Sequence, residues 1–188
     1  MKRKMRVFPI LSAIFLALAV FVQNVLFVPP ARSDSPACES FGITRFPEKK
    51  EAPAFSLKSL GGNTVTLSDL RGKPTILFFW GSWCTACKED MALLQKFADG
   101  TKDQITIFTI AVDGEREKRV RGIIKDNKVT LPVLLVLKEN VIKNYGINAI
   151  PVTYLISAEG YMAGKILGQR DWSSPDAWSA IKEVFHLR

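Results

Sequence analysis

The chain is poor in metal-binding residues, and its first stretch carries no acid. Histidine occurs once, at His186, and cysteine three times, at Cys38, Cys84 and Cys87. A closed zinc site wants four such ligands. Cys38 and His186 are remote in sequence from the other two, so at most half a site stands at residues 84–87. His186, at the tail, is read as inert. No Asp or Glu precedes residue 34. The formal charge of +8 therefore comes mostly from Lys2, Arg3, Lys4, Arg6 and Arg32, and from Asp34 onward 21 basic residues face 18 acidic ones. An imbalance that small argues against nucleic acid as a partner. The basic residues of Glu115–Arg121 alternate with acids, as on a solvated helix face. No internal repeat is present.

The chain does hold a basic start followed by a long apolar run. Val7 to Val28 is interrupted only by Pro9, Ser12, Gln23 and Asn24. Its cleanest part, Ile10 to Val22, has signal-peptide length, and Ala31-Arg32-Ser33 offers small residues for cleavage before Asp34. The full run is also long enough to span a bilayer, with the basic flank held in the cytoplasm and the rest outside. Residues 1–33 are thus expected to be a signal peptide or membrane anchor. Residues 34–51 mix Pro, Ser and charge without periodicity and read as a linker. Residues 52–188 are expected to form one domain. Cys38 is read as a thiol in the linker, exposed to intermolecular pairing.

Within the domain, Thr75-Ile76-Leu77-Phe78-Phe79-Trp80 is a short apolar run rich in β-branched and aromatic residues, the signature of a buried strand. Gly81-Ser82 breaks it, and apolar residues then recur at Ala86, Met91, Leu94 and Phe97, which predicts a helix ending at Gly100. Cys84 and Cys87 straddle the start of that helix. The first turn has backbone N–H groups without intrahelical partners and partial positive charge, so a thiolate at Cys84 would be stabilised. Cys87, one turn on, lies on the same helix face. At this point the pair admits four readings: an exchanging dithiol, a structural disulfide whose tiny loop stabilises little, half a zinc site, or two inert thiols.

Trp83-Cys84-Thr85-Ala86-Cys87-Lys88 after an apolar strand resembles the thioredoxin superfamily. Ala52–Leu57, the Gly61-Gly62-Asn63 turn and Val65–Lys73 resemble the N-terminal hairpin of its TlpA/ResA-like, membrane-linked thiol–disulfide oxidoreductases. Tyr145–Ile156 resembles their segment with a cis-proline. The resemblance implies an α/β fold: a thioredoxin-like three-layer sandwich with a central mixed sheet, helices on both faces, an extra N-terminal hairpin, and an inserted helix plus strand. It implies that Cys84 is the nucleophile and Cys87 the resolving thiol. Pro151 would be cis and face the pair, Ile150 would offer main-chain groups to an extended substrate, and Trp83 would shield the site. Asp90 matches a family glutamate and is a candidate proton acceptor for Cys87, set against the reading of a solvated helix-face carboxylate. Two family features differ: Ala86 stands where proline is frequent, and Phe78 where thioredoxins bury an acid.

The function expected is exported thiol–disulfide exchange through Cys84 and Cys87 without metal or organic cofactor. The protein would act as a reductant, in the periplasm or anchored with the domain outside the inner membrane. Its partners would be protein thiols and disulfides, apocytochrome c among them, and a membrane redox donor. Two alternatives stay open. A thiol peroxidase would share the fold, but the chain lacks the Pro-x-x-x-Thr-x-x-Cys pattern. A Sco-like copper-binding module would want a Cys-x-x-x-Cys pair and a loop histidine.

Overall fold

The computed structural model describes residues 35–101 and 104–187. The expected signal or anchor at residues 1–33 lies outside them. Among the described residues no helix is long and apolar enough to cross a membrane.

The run at residues 75–80 is the organising strand, β4 (Thr75–Trp80), with all six residues buried. A strand can be buried along its whole length only if both faces are covered. Ile76, Phe78 and Trp80 point into one apolar cluster, Leu77 and Phe79 into the other, as the two-residue period of a strand demands. β4 pairs in parallel with β5 (Thr106–Ala111) and antiparallel with β7 (Val152–Ile156). Around this trio the sheet extends to β8 (Tyr161–Leu167) and β1 (Ile43–Glu51) on one side. On the other side it extends to β6 (Val133–Leu135), β2 (Ser56–Ser59) and β3 (Thr64–Thr66). The order is β1-β8-β7-β4-β5-β6-β2-β3.

The first cluster takes residues from α1 (Pro36–Phe41), α2 (Thr85–Thr101), α3 (Glu117–Asp126) and α5 (Pro175–Phe185). The second takes α4 (Val141–Asn144) and the 3-10 turn Leu67–Leu70. Helices therefore cover both faces of a mixed sheet, as expected. The N-terminal hairpin is β2–β3, pairing Leu57 with Val65. The inserted helix and strand are α3 and β6. α5 starts as its sequence suggests, with Ser174 as cap accepting from the Ala177 amide and Pro175 in the first turn. Gly100 does not end α2, which continues to Thr101, where the side-chain hydroxyl donates to the Phe97 carbonyl at 2.8 Å.

The expectation of a linker at residues 34–51 is corrected. Ser35 caps α1, accepting from the Cys38 amide at 3.3 Å. Pro36 fills the first turn, and Gly42 closes the helix in the left-handed region at φ 72°. Phe41 packs edge-on against Trp172, which in turn meets Phe97 of α2, with centroids 5.1 and 5.3 Å apart. β1 follows as an edge strand on β8, with Ile43 opposite Ile166. Its Lys and Glu side chains face outward, and its register slips between Arg45 and Lys50, around Pro47. These are ordinary features of a protected edge, and they look like linker composition. Cys38 is correspondingly not exposed. It is 0% accessible, with its Sγ 3.9 Å from the Ala180 carbonyl of α5.

This docking has a direct test. In the native protein Cys38 is expected to resist iodoacetamide while the reduced Cys84 reacts, and to label only with unfolding in urea. Native-state labelling of Cys38 at the rate of a small thiol would show that α1 is not seated.

Candidate functional site

The parallel β4/β5 pairing and the antiparallel β7 place three chain segments at one edge of the sheet. These are the carboxyl ends of β4 and β5 and the start of β7. Open α/β sheets put their ligands at such edges. β4 runs out into Gly81–Trp83 and then α2. β5 runs out into Val112-Asp113-Gly114. β7 is entered through the cis Ile150–Pro151 bond. The end of β8 joins them, since the Gly168 amide donates to the Pro151 carbonyl at 2.9 Å.

Cys84 and Cys87 form a disulfide with an S–S distance of 2.05 Å and Cα atoms 5.3 Å apart. Cys84 is half-buried and stands immediately before the first residue of α2. Cys87, inside the helix, is 0% accessible. The Cys87 amide donates to Cys84 Sγ at 3.1 Å, and the Cys84 amide donates back to the Gly81 carbonyl at 3.0 Å. The sulfur of residue 84 thus occupies the position of a helix-capping acceptor.

Asp113, which the sequence analysis did not single out, is central to the geometry. Its carboxylate accepts from the Ser82 amide at 3.1 Å and the Ser82 hydroxyl at 2.6 Å, and both residues are buried. It ties the end of β5 to the bend that delivers Cys84. Gly114 beside it is required, because a Cβ there would fall 2.6 Å from the Val136 carbonyl. The signal was an acid followed by glycine at the carboxyl end of a core strand, but its partner is 31 residues away.

Trp83 is 52% accessible and leans over Gly81, where an added Cβ would meet the indole at 2.9 Å and Ile150 Cδ1 at 3.0 Å. Trp83, Val112, Ile142 and the Ile147–Ile150 segment line an open, largely apolar groove of about 240 Å³. Trp83, Ile150 and Pro151 are therefore gathered at the edge that holds Cys84. Among the described residues no group of three or more His, Cys, Asp or Glu side chains could hold a metal ion.

Asp90 is not a solvated helix-face carboxylate. It is 1% accessible and lies one turn beyond Cys87 on α2. It accepts from the Arg170 main-chain amide at 3.1 and 3.3 Å. Burial pushes its pKa from 3.8 up to about 7. The Arg170 amide and guanidinium oppose that rise, and neighbouring Glu89 adds to it.

Between about pH 4 and 7, therefore, the folded protein holds a proton that the unfolded chain has released, and stability falls as pH rises through that window. Asp90→Asn, measured by urea unfolding of the oxidised protein, should differ little from the parent at pH 4.5. At pH 8 it should be more stable by on the order of 3 kcal/mol. Parallel stability curves for the two proteins would show that Asp90 is not the buried group that titrates.

The comparisons with known proteins agree with this geometry. Residues 49–164 match the AhpC/TSA family. The chain is 31% identical to the thiol–disulfide oxidoreductase ResA of Bacillus subtilis over 172 residues, covering 89% of this chain and 88% of that protein. It is 32% identical to the sporulation thiol–disulfide oxidoreductase A of the same organism, covering 73% of this chain and 86% of that protein. The crystal structure of StoA from Bacillus subtilis superposes with a TM-score of 0.59 at 28% identity, over 68% of this chain and 97% of that one. The thioredoxin domain of a thiol–disulfide oxidoreductase from Bacteroides vulgatus gives 0.64 at 27%, over 73% and 97%.

Proposed function

The chain belongs to the AhpC/TSA family and to its ResA-like thiol–disulfide oxidoreductases, and from that premise we propose that Cys84 and Cys87 are its exchanging pair, with Cys84 the nucleophile. The observation that carries this reading is the Cys87 N–H aimed at Cys84 Sγ at 3.1 Å, on a half-buried sulfur at the start of α2. That donor, with the helix dipole, stabilises a thiolate more than a thiol.

In the reaction, the Cys84 thiolate attacks one sulfur of a substrate disulfide. The substrate S–S bond breaks, its other sulfur leaves as a thiolate and takes a proton from water, and Cys84 is left in a mixed disulfide. Cys87 then passes its proton to Asp90 and attacks Cys84 Sγ. The mixed disulfide breaks, the second substrate sulfur leaves as a thiolate and is protonated, and the Cys84–Cys87 disulfide closes. The substrate gains two electrons and two protons. The main chain at Ile150, ahead of Pro151, pairs with an extended substrate segment. The apolar groove beside it takes the side chain next to the substrate cysteine, and Trp83 covers the reacting sulfur.

The same proposal assigns residues 1–33 to export or anchoring. The enzyme then works outside the inner membrane as a reductant recharged by a membrane redox protein, with apocytochrome c disulfides among its substrates. What supports the export assignment is the basic start and apolar run of the sequence.

Two measurements test the reading. Rates of alkylation against pH are expected to give Cys84 an apparent pKa below the free-thiol value of about 8.5; titration at the free-thiol value would remove the nucleophile assignment. The full chain carrying Cys87→Ser, produced in the exported compartment, should accumulate mixed disulfides on Cys84 that mass spectrometry identifies. Recovery of c-type apocytochromes supports the pathway, whereas an empty trap counts against exchange.

A further inference from the structure

The guanidinium of Arg170 sits between the site and the N-terminal helix. Its Nε donates to the Phe41 carbonyl at the end of α1 at 2.9 Å, and its Nη1 to the Gln169 carbonyl at 2.6 Å. α1 is shaped to receive it: a Cβ at Gly42 would fall 2.7 Å from Nε and closer still to Nη2. The main-chain amide of the same residue donates to both oxygens of Asp90. The neighbouring Gln169 donates from Nε2 to Glu89 at 2.8 Å. The segment after β8 is thereby pinned at two points to the first turns of α2 and at one point to α1. Cys87 and Asp90 are three residues apart on one face of α2, with Cβ atoms about 5–6 Å apart.

We propose that Arg170 is a positioning residue for thiol exchange: braced on Phe41 over Gly42, it holds its amide and its positive charge on Asp90 and so sets how readily Asp90 takes the proton of Cys87. The proposal rests on the reading of Asp90 as that acceptor. It gives the N-terminal helix a part in the chemistry, since α1 supplies the carbonyl that fixes the guanidinium. The charges acting on Asp90 are Arg170 and, from its own helix, Glu89. Cys87 shares its helix face, and what α1 brings to the guanidinium is the neutral carbonyl of Phe41. Loss of the Arg170 charge would raise the proton affinity of Asp90, leaving less carboxylate available near neutrality.

The test is single-turnover reaction of the reduced full chain, in detergent micelles, with oxidised glutathione across about pH 5–9. The step that closes Cys84–Cys87 is read against the Cys84 step of the same variant. Asp90→Asn is expected to abolish the acid-side inflection of the closing step. Arg170→Met and Gly42→Ala are each expected to move that inflection up by about half to one pH unit, slowing closure roughly three- to tenfold on the acid side. Arg170→Lys, which keeps the charge, is expected to leave the inflection close to that of the parent. An inflection unmoved in Arg170→Met, but lost in Asp90→Asn, would overturn the role of Arg170 and leave Asp90 standing. An inflection that survives Asp90→Asn would overturn both. Should Gly42→Ala fail to fold, Arg170→Met decides alone.

Discussion

The contact from the Cys87 amide to the Cys84 sulfur asks a great deal of the rest of the chain. A sulfur reaches that position only if the residue bearing it stands just outside the first turn, where the dihedrals are not helical. The chain must therefore leave a fully buried strand, turn within three residues, and start a helix. Ser82 makes the bend rigid by placing both its donors on Asp113. The magnitudes show which effect dominates. A hydrogen bond to a charged group is worth about 1.5–3 kcal/mol, and the helix end adds about 0.3–1 kcal/mol. Since about 1.4 kcal/mol is one pKa unit, the single directed N–H outweighs the diffuse dipole, and the bend that aims it matters more than the length of α2.

Much of this was legible in the sequence because it is encoded locally. The apolar run of β4 and the helical spacing after Cys84 each carry their own periodicity. The residues of the site that came from family likeness, Trp83, Ile150 and Pro151, do converge on one sheet edge. What escaped notice was of two kinds. α1 has a Ser-Pro start, as α5 does, and a closing glycine, yet it is six residues long with charge around it. β1 hides because an edge strand keeps Lys and Glu on its open side. Composition cannot separate such a strand from a linker; only its pairing with β8 does.

The second kind is contact across topology. Ser82–Asp113 and Asp90–Arg170 join residues 31 and 80 positions apart. Each depends on which strands neighbour one another, a property of the sheet order that no window of sequence contains. Asp90 shows the consequence. Read along the helix, an acid among Lys88 and Glu89 looks solvated. In the fold, the Arg170 amide after β8 bonds it, and burial reverses its expected ionisation behaviour. The family glutamate it replaces is one methylene longer, and the shorter reach fits a carboxylate drawn in against a main-chain amide.

On the proposed reading, the amide that faces Cys84 Sγ also bears on the direction of exchange. The Cys87 N–H faces Cys84 Sγ in the disulfide too, so only the part of that interaction that is stronger for a thiolate stabilises the reduced form and makes the pair a better oxidant. One pKa unit of thiolate stabilisation is worth at most about 30 mV toward oxidation for two electrons. Potentials across thioredoxin-fold proteins span about 150 mV, so this contribution is a fraction of the range and does not by itself turn a reductant into an oxidant. In the first turn of α2 Thr85 and Ala86 are neutral, and Asp90, on the same face as Cys87, is buried and opposes further negative charge beside it. On the proposed reading, one directed amide at Cys84 and Asp90 behind Cys87 as proton acceptor serve a pair that gives electrons away and then closes.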